Sequence, residues 1–200
     1  AGLYKHTSLG PAEVAVTELG KQGGFDVTTV QGYKQEADKI DLAFLTPEYL
    51  AGFDGLMLMT NGNLPLTDAQ KRGLIDFVRN GKALIGAHCA ALTLYDYPEF
   101  GEMLGGYYRR SGRQNRIVVL KVEDGTHPAT RMLGSSWPLV DEFYLFGTAP
   151  WDATKPKENV DVLFGNRIPI GFSRDRVHVL LSIDSEKSDL TGQIDMVRGG

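Results

Sequence analysis

Four histidines and a single cysteine carry the most reactive side chains of this 200-residue chain. Two of them are adjacent, His88 and Cys89, inside the stretch GKALIGAHCAALTLYDYPEFGE. A short apolar run, Ala83 to Ile85, reads as a strand. Gly86-Ala87-His88 reads as a tight turn, and CAALTLY as the first turns of a helix. Such a turn would lift His88 above the carboxyl edge of a sheet, where open α/β sheets bind their ligands. The geometry is that of a nucleophile elbow with an imidazole at its apex. An imidazole titrates at about 6.5, which suits it to general acid/base work or to ligating a metal. Cys89 lies one residue further on, about 100° around a nascent helix. It is therefore expected to point inward as a buried structural thiol, although a helix N-terminus would favour its thiolate.

Other polar groups are candidates to share that edge. Tyr95 and Asp96 follow the elbow, and Asp96 could equally cap the next helix. Asp141, Glu142 and Tyr144 fall in PLVDEFYLF, where two adjacent acids are unusual for a core strand. His127 sits in a turn before Pro128, His6 in a loop before the first helix, and His178 in an alternating run facing solvent or a polar layer. His6, His88 and His127 with an acid are ligand types that suit zinc. Their spacing forms no compact ligand motif, so the expectation is a histidine pocket without metal. No Gly-rich dinucleotide fingerprint or phosphate loop is present, and no nucleotide cofactor is expected.

The elements that must position these residues alternate. Pro11 suits a helix first turn, followed by AEVAVTELGKQGG with Val14 and Leu19 on one face. Residues 25–30, FDVTTV, read as a β-branched strand. Thr46-Pro47-Glu48 starts a helical turn, and LMLMT is a buried parallel strand. Thr67 and Gln70 form a capping box ahead of a helix carrying Leu74, Ile75, Phe77 and Val78 inward. Further strands are expected over residues 116–124, 138–146 and 176–184. The pattern predicts an α/β fold with a doubly wound, mostly parallel sheet and helices on both faces. It reads as one domain over residues 1–200, with first and last strands missing at the edges. Apolar residues at 42% and a net charge of −4 fit a globular protein without nucleic acid or an anionic membrane surface as partner. No apolar run reaches membrane-spanning length. One cysteine excludes an internal disulfide framework but fixes no compartment, since the chain would read the same in the cytoplasm or after loss of a leader.

Several motifs in order, YKHTS, LTDAQKRGLIDFVRNGKALIGAHCA, YDYPEFGEMLGGYY, GTHPAT, WPLVDEFYLF and RVHVLLSID, resemble the ThuA-like (trehalose utilisation) family. The resemblance covers nearly the whole chain. It implies the flavodoxin-like sandwich of the class I glutamine amidotransferase-like superfamily. The amidotransferase elbow is Gly-x-Cys-x-Gly, whereas this chain has Gly86-Ala87-His88-Cys89-Ala90. His88 thus takes the nucleophile's position, and no glutaminase activity is expected. Members of the family usually extend beyond both ends of this chain. The family is associated with trehalose and other glucosides, often oxidised at C3. The resemblance implies a hydrolase, lyase or isomerase of such sugars, or alternatively a non-catalytic sugar-binding or regulatory domain, or a metal-dependent hydrolase. His88 would be the acid/base, with Asp141 or Glu142 as its partner. Tyr95, Asp96, Tyr108 and Tyr144 would hold hydroxyls, and His6 and His127 would line the mouth. The expected partner is a small carbohydrate, with a homo-oligomer left open.

Overall fold

A computed structural model describes residues 4–36, 39–111, 116–146, 161–163, 166–168 and 172–190. The chain divides into two compact units, Ala1–Phe100 and Gly101–Gly200.

In the first unit, α1 (Leu9–Gly23) begins just ahead of Pro11 and stops at Gly24, whose φ of 73° returns its N–H to the Gly20 carbonyl. Val14 and Leu19, the expected inward face, are exposed. Residues 25–30 form no strand, contrary to their β-branched composition. Strand propensity needs a partner ladder to be realised; among the described residues none pairs with this run, and Thr29 instead donates its hydroxyl to Glu13 Oε1 at 3.1 Å. The short α2 (Pro47–Leu50) is capped by the Thr46 hydroxyl, which accepts from the Tyr49 N–H.

The sheet of this unit pairs β1 (Gly55–Leu58) with β2 (Ala83–Gly86) in parallel, Gly55 opposite Ala83 and Leu58 opposite Gly86. The helix between them, α3 (Asp68–Arg79), starts with the expected capping box. Gln70 donates its N–H to Thr67 Oγ1 at 3.3 Å, and Thr67 donates its N–H to Gln70 Oε1 at 3.0 Å. Leu74, Ile75 and Phe77 are buried from α3, together with Leu50, Leu58, Leu92, Leu94 and Phe100. After β2 the chain makes a 3₁₀ turn, His88–Leu92, rather than the expected α-helix. The next helix is α4 (Pro98–Leu104).

The second unit is antiparallel. β4 (Arg116–Val122) is the middle of a three-stranded sheet between β5 (Ser136–Asp141) and β9 (Leu181–Ile183). β3 (Tyr108–Ser111) pairs with β6 (Tyr144–Phe146), and β7 (Asp161–Leu163) with β8 (Asn166–Ile168). The expected single strand 138–146 is therefore two strands in two sheets. The switch comes at Glu142 and Phe143. Asp141 Oδ1 accepts the Glu142 N–H at 2.8 Å, which withdraws that donor from the ladder. Phe143 drops into a core with Val118 and Leu190. The strand expected over 176–184 shrinks to β9, because Arg176 closes a turn on the Ser173 carbonyl. The observed fold thus mixes helices and strands, with one two-stranded parallel sheet among the described residues.

Arg174 grips Glu123 with two nitrogens, at 2.6 and 2.8 Å. This guanidinium, aided by Ser182, holds the Glu123 carboxyl at about 2, against an ordinary value of 4.5. A lowered carboxyl adds stability above its unfolded pKa, and that contribution is lost as pH falls through the folded value. The stability difference between the parent protein and Glu123→Gln should therefore be largest at neutral pH and fade between about pH 5 and pH 2 in denaturant titrations. Separately, Thr67→Ala should lower the denaturation midpoint by the equivalent of about 1 kcal/mol, the cost of losing a helix cap.

Candidate functional site

The site forms where the two parallel strands end. The ladder continues one bond past the sheet, with the Ala87 N–H donated to the Leu58 carbonyl at 2.9 Å. The loops beyond β1 and β2 are then tied together. Gly62 donates to the Leu92 carbonyl at 2.7 Å, and Leu94 donates to the Gly62 carbonyl at 3.2 Å. Thr93 donates its hydroxyl to the Thr60 carbonyl at 2.8 Å, and the two threonine hydroxyls lie 2.9 Å apart. Gly62, at a φ of 77°, supplies a backbone that few side chains tolerate.

Between these ties His88 adopts a φ of 47°. A non-glycine residue in this region is uncommon and points to local constraint. The turn leaves His88 exposed, while Cys89 is only 5% exposed. The single-residue step expected from the sequence thus separates an outward imidazole from an inward thiol.

His6 completes the corner from 83 residues away. Its Nε2 lies 3.1 Å from Cys89 Sγ. Its ring meets that of His88 edge-on, with centroids 4.6 Å apart. The loop carrying His6 is held by Asn61, a buried residue of the β1 loop whose amide donates to the Tyr4 carbonyl at 2.8 Å. The Tyr4 ring packs against His6 at 4.6 Å. A thiol beside an imidazole is one way to activate a nucleophile. Here the sulfur is buried, so the group presented outward is the His88 ring.

Asp96 directs its carboxylate to Lys71 Nζ at 2.8 Å. Lys71 itself is buried at 8% exposure, with its ammonium 5.8 Å from the centre of the Tyr97 ring. Sequence reasoning missed Lys71 and Asn61. The first left a signal: it precedes Leu74 and Ile75 by three and four residues, on the apolar face of α3. The second left none beyond its place after a strand. Tyr95 is 2% exposed, which puts its ring in the core. A groove beside α2 and α3, lined by Pro47, Leu50, Arg72 and Phe77, includes none of the corner residues.

The remaining expected site residues belong to the second unit. Tyr108 and Tyr144 pair edge-on at 4.6 Å, and the Tyr108 hydroxyl lies 2.9 Å from Ser111 Oγ. Asp141 is exposed at the end of β5, opposite Arg116 in the ladder, and Glu142 is half-buried. His127 Nδ1 accepts the Ala129 N–H at 3.2 Å, closing its own turn. Its ring is 5.8 Å from that of His178, which lies 3.1 Å from Asp124.

The sequence profile of the ThuA family, described as trehalose utilisation, matches residues 1–176. The chain belongs to the ThuA family. Two solved structures described as ThuA-like resemble this ThuA chain in fold. One, from Bacteroides uniformis, is 21% identical with a TM-score of 0.54, over 81% of this chain and 66% of that one. The other, from Parabacteroides merdae, is 20% identical with a TM-score of 0.54, over 72% of this chain and 60% of that one. This ThuA chain thus spans just under two thirds of the length of those proteins. No curated protein matches it. Among the described residues no helix is long and apolar enough to cross a membrane.

The burial of Cys89 has a direct readout. Iodoacetamide should label it in the native protein slower than in denaturant by about an order of magnitude or more, as expected for a thiol reached only through local opening. Equal rates measured by intact mass would contradict the inward placement.

Proposed function

We propose that the protein acts on glucosides such as trehalose, or on their 3-keto derivatives, by imidazole acid/base chemistry at His88. The observation that carries this reading is the exposed His88 ring, held at positive φ at the carboxyl ends of two parallel strands with a second imidazole 4.6 Å away. A 3-keto sugar has acidic protons beside its carbonyl, and an imidazole is suited to removing or returning one near neutral pH. Membership of a family described by trehalose utilisation supports the substrate class. In this reading the chain is a single ThuA-like domain, and β1 and β2 belong to a doubly wound, flavodoxin-like sheet. Such sheets bind ligands beyond their carboxyl ends, where His88 lies. The buried sulfur of Cys89 argues against thioester chemistry, and so against glutaminase activity.

The paired phenols Tyr108 and Tyr144 are apolar bodies with polar tips, a type suited to sugar faces and hydroxyls. Asp96 offers a half-exposed carboxylate steadied by Lys71.

The test is turnover of trehalose and 3-keto-glucosides by the purified protein, followed by product analysis. His88→Ala should lower kcat/KM by about 10²–10⁴-fold, the usual contribution of a general acid/base, while His178→Ala should leave it unchanged. Activity retained in His88→Ala would overturn the assignment. Binding without product, for both oxidised and unoxidised sugars, would establish a binding domain instead.

A further inference from the structure

We infer that His6, His88 and Cys89 bind one divalent ion of the zinc type. One ligand atom from each residue lies within 4.8 Å of the other two. Zinc held by nitrogen at 2.0–2.1 Å and sulfur at 2.3 Å in a tetrahedron needs neighbouring ligand atoms roughly 3.5 Å apart. The 3.1 Å between His6 Nε2 and Cys89 Sγ is slightly shorter than that, so a small outward rotation of either side chain would admit the ion.

The donor set decides the class of metal. Two imidazoles and a thiolate suit zinc and its neighbours, whereas magnesium and calcium take oxygen ligands, and among the described residues this cluster includes no carboxylate. Burial decides the kind of site. Cys89 is buried, His6 half-buried and His88 exposed. The His88 side of the cluster therefore faces water, as at zinc sites that exchange ligands with solvent. Supporting contacts are in place as well. Asn61 fixes the Tyr4 carbonyl and Tyr4 packs on the His6 ring, so the distant ligand is oriented before an ion arrives. The sequence grouped His6 and His88 with His127 and an acid; it did not add Cys89, which lies 83 residues from His6.

The inference goes beyond the sugar reading and does not need it. It bears on one part of that reading: with an ion bound, the ligating His88 nitrogen would be withdrawn from acid/base work. Ligation replaces the Cys89 S–H bond with a sulfur–metal bond and releases the proton to solvent.

The experiment titrates the purified, metal-stripped chain with zinc chloride and, in parallel, with cobalt chloride. One zinc per chain should bind, measured by calorimetry and elemental analysis. Cobalt should give the near-ultraviolet thiolate charge-transfer band of a sulfur ligand. Cys89→Ser and His6→Ala should weaken zinc binding by more than about 10-fold, and His178→Ala should not. Wild-type protein that takes up no zinc, or a cobalt complex without the thiolate band, overturns the inference even if a variant fails to fold. Zinc binding without turnover of any glucoside sinks the sugar reading alone. Full turnover in protein that binds no metal sinks the metal inference alone.

Discussion

The corner depends on two fixed points in the backbone. The first is the ladder bond from Ala87 to Leu58, which keeps the chain parallel to β1 until the residue before His88. The second is the bridge between Gly62 and Thr93. Five residues, His88–Leu92, must turn the chain between them, and they do so as a 3₁₀ segment. An α-helix rises less per residue and turns more gently, so it would not bring Thr93 back to Gly62 in that span. The positive φ of His88 follows from the same closure. A left-handed conformation costs a non-glycine residue about 1–2 kcal/mol, offset here by the cross-ties on both sides of the turn.

That closure sorts two adjacent reactive groups into different environments. The imidazole faces water and the sulfur faces the interior. The His88 side chain is kept outward at a backbone cost, so it is not there to fill a core. Lys71 shows the opposite arrangement. Its ammonium is drawn inward on the apolar face of α3 and is matched by Asp96 at the protein surface. Such a pair stabilises little by itself, but it fixes the loop after the elbow.

Much of this was legible in the sequence because it is local. The Thr67–Gln70 capping box, the two apolar strands and the Gly-Ala-His turn are each set by a handful of neighbouring residues. The illegible parts are those decided by distant partners. Residues 25–30 have strand composition but, among the described residues, no ladder to join. The run 138–146 alternates well enough for one strand, yet Asp141 takes the backbone donor of Glu142 and Phe143 is pulled into the core beside Val118 and Leu190. His6 looked like an ordinary loop residue. The bond from Asn61 and the edge-on packing of Tyr4 help place it beside the elbow.

His6 reaches its place through a loop anchored by a side-chain amide, and not through a strand or helix of its own. The two imidazoles therefore meet only after the segment before α1 has docked on the loops beyond the sheet. A partly folded chain could hold both strands and the buried thiol and still lack one of the two imidazoles of the corner. A proteolytic nick between His6 and α1 would loosen that docking while leaving the helices and strands, and so the far-ultraviolet signature of the fold, in place.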